Sequence, residues 1–232
     1  MRSPALIKAK SEALADRRRH ARPPRRSAKV NGRVPLRERR ELILAQASEF
    51  FAEYGLTAQT RALADACGIS QRLLYRCFPS KGALIQEVYR RDIAGPVQAA
   101  WLARLEDRGR PIGERLTEFY RDYYDAVLTR RWLRLFLYAS LAEIDMAPTY
   151  IAEVLVRMLE VVVSEACAAL GVRPPASRAQ KHELGWMLHG AVSHLAIRRH
   201  IYANTNPTPV DEVIAMQVRI FLAGLEKALA QR

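Results

Sequence analysis

Between residues 71 and 76 the run QRLLYR places an amide, two guanidiniums and a phenol within six positions. If the run is helical, Leu74 and Phe78 lie four apart and point inward, so that Gln71, Arg72, Leu73, Tyr75 and Arg76 project elsewhere. An arginine can donate to guanine O6 and N7 together, and a glutamine can pair with adenine N6 and N7. Each good bidentate contact is worth about 1–3 kcal/mol of discrimination. Tyr75, with Thr60 upstream and Lys81 downstream, suits phosphate oxygens, contacts that fix register without reading sequence, and Arg61 is a further DNA-contact candidate. Together these side chains describe a surface for double-stranded DNA.

The surrounding sequence supplies the elements that would hold such a surface. A first helix is predicted from about Leu36 to Tyr54, with Ile43, Ala47, Phe50, Phe51 and Tyr54 on one stripe and Gly55 at its end. A short second helix covers about Gln59 to Ala66 and buries Leu63, Ala64 and Cys67. Gly68 can take the positive φ of a tight turn, Ile69 can plug the angle between two helices, and Ser70 can cap a third helix running through Phe78. Pro79 stops that helix, and Ser80 caps a fourth from Lys81 to about Ile93. Helix, turn and helix thus occupy about 59–78.

On these residues the chain resembles the tetracycline-repressor (TetR) family of bacterial regulators. The resemblance runs from Arg40 to Tyr89 through LADACGISQRLLYRCFPSKGALIQEVY, with Leu63, Ala64, Gly68, Ile69, Ser70, Leu74, Tyr75, Phe78, Lys81 and Leu84 on the family pattern. Cys77 departs from it, standing where the family often has a histidine beside the phosphate backbone. The segment GLTAQTRALA is a residue shorter than the usual connection, with Gln59 where threonine is common. The resemblance implies a sequence-specific transcription regulator, a repressor that leaves a palindromic operator when a small effector binds, and a homodimer paired through its last two long helices.

Beyond residue 94 the punctuation at Gly95-Pro96, Gly109 to Pro111, Thr129-Arg130, Pro148, Gly171 to Pro175 and Asn204 to Pro209 separates helices at about 97–107, 112–129, 131–142, 148–170, 178–203 and 209–230. No segment alternates with period two, so the fold class is all-α: a three-helix helix-turn-helix domain joined to a larger helical domain for effector binding and dimerisation. The domain limits are 35–94 and 95–232, preceded by a basic, mostly disordered arm over 1–34.

Two sets of residues in the larger domain are candidate sites. Met187, Ala191, His194 and Leu195 on one long helix, with Val218, Phe221, Leu222 and Leu225 on the next, form stripes that could pair with a second copy or face their own core. Trp101, Tyr120, Tyr123, Tyr124, Trp132, Phe136, Met158, Trp186 and His189 could enclose an apolar or aromatic effector or be plain core.

Composition bounds the rest. Residues 1–40 hold fourteen Lys or Arg against three acids, so +11 of the net +13 is local. Such an arm is drawn to polyphosphate by counterion release, which leaves an architectural, non-specific DNA-binding protein as the alternative reading. No apolar run is long enough to span a membrane, and no apolar segment follows the N-terminal arginines, so a cytoplasmic location is expected. Three cysteines without metal-ligand spacing are expected to be reduced thiols, with no metal and no cofactor. The absence of a phosphate loop, a nucleophile elbow or a catalytic cluster argues against an enzyme.

Overall fold

A computed structural model describes residues 35–93, 99–142, 144, 146–204 and 206–230. The arm at 1–34 and the Gly95-Pro96 break lie outside the described residues. Helix α1, Leu36–Tyr54, buries Ile43, Leu44, Ala47, Phe50 and Phe51. Gly55 closes it, its N–H donating to the Phe51 carbonyl at 2.9 Å. Tyr54, expected on the buried stripe, is 45% exposed and lies against Phe50 from outside, with ring centroids 4.8 Å apart.

Helices α2, Thr60–Ala66, and α3, Gln71–Cys77, are joined by the anticipated turn. Gly68 has φ +66° with open space at its missing Cβ, so only backbone strain disfavours another residue there. The N–H of Ile69 returns to the Ala64 carbonyl at 3.0 Å, and Ser70 Oγ accepts from the Leu73 N–H at 3.2 Å. Leu63, Ala64, Leu74, Cys77 and Phe78 are buried, whereas Ile69 and Cys67 are half-buried; the Cys67 expectation is corrected to that extent. Ser80 caps α4, Lys81–Val88, by accepting from the Ala83 N–H at 3.0 Å, and α4 passes into a π-helical turn, Tyr89–Ile93.

The remaining helices are α5, Ala99–Leu105, α6, Ile112–Ala126, α7, Arg130–Leu141, α8, Met146–Tyr150, α9, Val156–Leu170, α10, Arg178–His200, and α11, Val210–Ala230. No strand occurs among the described residues. Residue 129 does not extend α6 as expected: Thr129 caps α7, its hydroxyl accepting from the Trp132 N–H at 3.2 Å. Pro148 was expected to break the chain but sits in the first turn of α8, where helix N–H groups have no intrahelical partner to lose. A second π-helical turn, Ile151–Leu155, carries α8 into α9.

Helices α9, α10 and α11 pack around α6. A Cβ at Gly185 would lie 2.8 Å from Leu159 Cβ, so glycine sets the close approach of α10 to α9. The buried Arg115 guanidinium meets Glu165 at 3.0 Å and donates to the Leu105 carbonyl at 2.5 Å, while Arg108 reaches the same carboxylate at 2.8 Å. Hydrogen bonding from Arg108, ahead of that from Arg115, holds the Glu165 carboxyl below its ordinary pKa.

The expected pairing stripe needs correction. Leu195, Val218, Phe221 and Leu225 are 1%, 1%, 7% and 2% exposed and belong to the protomer's own core, so they are not free to meet a second copy. Leu222 is half-buried and packs against that core beside Gly113. The outward face of α10 and α11 lies one step around each helix: Met187, Gly190, Ala191 and His194 with Met216, Ile220 and Gly224.

Candidate nucleic-acid interface

The packing of α3 decides which of its side chains can meet a ligand. With Leu74 and Phe78 at 1% exposure, Gln71, Arg72, Tyr75 and Arg76 are left outward. Leu73, expected among them, is half-buried against the core. From α1, Arg40 braces the end of α3. It lies over the Phe78 ring at 4.5 Å, donates to the Cys77 carbonyl at 2.6 Å and pairs with Glu87 of α4 at 2.7 Å. The Cys77 side chain is buried and does not face outward, so the histidine position of the pattern carries no outward group here.

The neighbouring helix starts complete a concave surface of about 390 Å³, lined by Thr57, Gln59, Thr60, Arg61, Gln71, Tyr75 and Lys81. Thr60 Oγ1 lies 3.1 Å from Tyr75 Oη and accepts from Gln71 Nε2 at 3.2 Å, which fixes the two α3 side chains against α2. Gln59 occupies the N-cap of α2 without a side-chain cap bond. Partial burial pulls the Lys81 ammonium below its ordinary pKa, against an opposing push from Tyr75. An ammonium, a guanidinium, hydroxyls and an amide around one hollow suit a phosphodiester. Thr57 escaped the sequence reading, since nothing in its spacing distinguished it from loop.

Helix α7 fastens this domain to the rest. Arg131 pairs with Glu49 at 2.7 Å and approaches Asp92 at 3.6 Å, and Arg130 reaches Glu53 at 3.3 Å. Arg134 donates to the Ala52 carbonyl and, at 2.8 Å, to that of Glu53. Asp92, in the π-helical turn, accepts from the buried Ser48 hydroxyl. Their sequence signal was three arginines at positions 130, 131 and 134, set against acids at positions 49 and 53 of another amphipathic helix.

The opposite side of α7 faces the aromatic interior. Trp132 stacks on Phe136 at 4.7 Å and meets Tyr150 edge-on at 5.4 Å. Tyr150 Oη lies 3.0 Å from Tyr123 Oη. Beyond it, His189 is ringed by Tyr120, Tyr123 and Trp186 at 6.2, 5.3 and 5.4 Å. Desolvation pulls the His189 imidazole down to about 4 and pushes the Tyr150 phenol up to about 12. The structure thus brings together Tyr120, Tyr123, Trp132, Phe136, Trp186 and His189. It instead places Tyr124 against His200 at 5.5 Å, while Trp101 and Met158 are buried with no ring contact to the set. Tyr150 was missed because it follows the expected break at Pro148, and Ser193, 3.1 Å from His189 Nε2, because it carries no aromatic signal.

Residues 43–88 match the model of the bacterial regulatory proteins of the tetR family. No curated protein matches the chain. Among solved structures, the chain is similar to a TetR-like transcriptional regulator from Rhodococcus sp., with 19% identity, TM-score 0.63, and coverage of 83% of this chain and 100% of that one. It is also similar to the TetR family regulator PfmR from Thermus thermophilus, with 22% identity, TM-score 0.57, and coverage of 78% and 97%. A tetR-family regulator from Streptomyces coelicolor aligns at 17% identity and TM-score 0.53 over 84% and 89% of the two chains.

Proposed function

We propose that the chain is a DNA-binding regulator of the TetR kind, a cytoplasmic homodimeric repressor released from a palindromic operator by a small effector; the family's domain over residues 43–88 and the shared fold support this reading. The carrying observation is the outward edge of α3, where Gln71, Arg72 and Arg76 are exposed on a helix whose other side is locked by Leu74, Phe78 and Arg40. In this reading Gln71, Arg72 and Arg76 read base edges. Thr60, Arg61, Tyr75 and Lys81 hold phosphates in the adjoining hollow.

One such helix spans only a half-site. Two copies of α3 must sit about 34–36 Å apart to enter successive major grooves, which requires a dimer. The outward apolar face of α10 and α11 supports one, with small residues at Gly190, Ala191 and Gly224 permitting close helix approach. Release then follows from population shift: an effector that favours a different separation of the two α3 helices depletes the DNA-competent form. Helix α7 is suited to carry that bias, since it touches the aromatic interior on one side and α1 on the other.

Selection of bound duplexes from a random pool, followed by footprinting, tests the reading. A short protected palindrome is expected. Uniform coating without sequence preference would replace it with the architectural alternative, driven by the basic arm over 1–34, which holds eleven Lys or Arg against two acids. Deletion of the regulator is expected to raise transcription from the selected site, and lowered transcription would reverse the sign from repressor to activator.

A further inference from the structure

We infer that the aromatic interior of the larger domain receives an uncharged, planar aromatic molecule carrying a hydroxyl, held by the Tyr120 hydroxyl and His189 Nδ1. The inference rests on the effector reading above and narrows it to a ligand class.

Two polar atoms point to the site. Tyr120 is fully buried and His189 is 4% exposed, yet Tyr120 Oη and His189 Nδ1 have no hydrogen-bond partner among the described residues. Buried polar atoms are nearly always paired, because leaving one unpaired forfeits its hydration without return. The other imidazole nitrogen is engaged, with Ser193 Oγ 3.1 Å from Nε2. If Ser193 donates, Nδ1 carries the proton and donates to the ligand; if Ser193 accepts, Nδ1 accepts from it. A ligand hydroxyl satisfies either tautomer while accepting from Tyr120, whereas a bare carbonyl satisfies only the first.

The surroundings set shape and charge. Tyr123 and Trp186 meet His189 edge-to-face at interplanar angles of 69° and 75°, a geometry that a further ring can extend. Trp186 is half-buried, so the wall that must move to admit a ring is the one nearest solvent. Tyr120, Tyr123, Tyr150, Trp186 and Ser193 bear no formal charge at neutral pH. The buried charges of the domain, Arg115 and Glu165, satisfy each other. The imidazole, pulled down to about 4 by burial, is neutral at pH 7 and provides no counter-ion. An anion would therefore be desolvated without compensation.

The test uses the full chain at pH 7 with three probes of one shape: β-naphthol, naphthalene and β-naphthoate, followed by calorimetric titration and thermal shift. β-Naphthol is expected to bind about ten-fold more tightly than naphthalene, the net worth of its two modest hydrogen bonds to Tyr120 and His189, and β-naphthoate not measurably. Tyr120→Phe should cut the preference for β-naphthol to a few-fold while leaving naphthalene binding intact, which also certifies that the variant is folded. His189→Phe serves as the second variant and should do the same. Binding of β-naphthoate as tight as that of β-naphthol, or an unchanged preference in both variants, would overturn the inference and leave the two atoms to internal water. Operator binding is measured separately. If β-naphthol binds in the Tyr120-dependent manner without loosening DNA, the ligand class stands and the effector reading falls.

Discussion

The indole Nε1 of Trp132 donates to the Ile93 carbonyl at 3.3 Å, tying the first turn of α7 to the π-helical turn that ends α4. The same ring stacks on Phe136 and meets Tyr150, so one side chain touches both the aromatic interior of the larger domain and the end of the helix-turn-helix domain. Across α7, the Arg131 and Arg134 contacts to α1 leave the helix little freedom to shift without moving that domain. Coupling between sites requires an element that both sides bias, and α7 meets that condition geometrically.

Trp132→Phe keeps a stacked ring and removes the N–H. It is expected to lower stability by about 1–3 kcal/mol, since the smaller ring leaves a void in a buried site beside the lost hydrogen bond, and to leave effector-free DNA affinity within a few-fold of wild type. The response of DNA affinity to effector should shrink. Denaturant unfolding and anisotropy titrations measure the two effects, and a full effector response in the variant would remove Trp132 from the coupling route.

Arg72→Ala and Lys81→Ala should differ in kind. Arg72 is exposed on the reading edge, so its loss should flatten base preference by about 1–3 kcal/mol at one position. Lys81 lines the concave surface beside Tyr75, and its loss should weaken binding to every sequence and reduce the salt slope by about one unit. Anisotropy over a salt series on matched and scrambled duplexes separates these outcomes. Identical behaviour of both variants and wild type would break the docking model.

Stability should fall in acid through His189. Its folded pKa, about 4, lies below the ordinary value of 6.5 because burial penalises the imidazolium. The unfolded state therefore binds the proton more readily. Stability is fully present above about 6.5 and is lost progressively as pH falls from there toward 4, by an amount on the order of 3 kcal/mol. The groups facing the ring, Tyr120, Tyr123, Trp186 and Ser193, do not titrate in that window. His189→Phe should flatten this part of the pH profile in chemical denaturation, and an unchanged slope would assign the acid sensitivity to other groups.

The helix-turn-helix domain was legible in the sequence because short-range chemistry specifies it. Gly68, Ser70, Pro79 and Ser80 each impose a backbone state on their own neighbours, and all four act as expected. Leu73 is more buried than its spacing suggested, because a seven-residue helix packed on several sides covers more than one stripe. In the larger domain, Leu195, Val218, Phe221 and Leu225 have the same apolar character as Met187 and Ile220, and only the packing of α10 and α11 against α6 decides which set turns inward. Sequence periodicity finds a helix's apolar stripes without saying which neighbour takes them. Tyr150 and the arginines of α7 act over long sequence separations, so their partners became visible only in three dimensions.

The outward face of those two helices supplies the sharpest test of assembly. Ile220 is 65% exposed and Met216 is 45% exposed, and Gly190 has open space where a Cβ would stand. In an isolated protomer, Ile220→Glu changes a solvated position and should cost within about 0.5 kcal/mol. In a two-fold dimer, a change on the shared face is made in both copies and brings carboxylates into an apolar contact without counter-charge. Light scattering should therefore show wild type near twice the 26.3 kDa protomer and the variant near one. DNA affinity should fall with dimerisation, because a single α3 reads only a half-site. Leu225→Glu, at a 2% exposed core position, should instead unfold the protomer, separating loss of pairing from loss of fold. A wild-type chain that scatters as a monomer at micromolar concentration, yet protects a full palindrome, would require the two half-sites to be bridged by something other than α10 and α11.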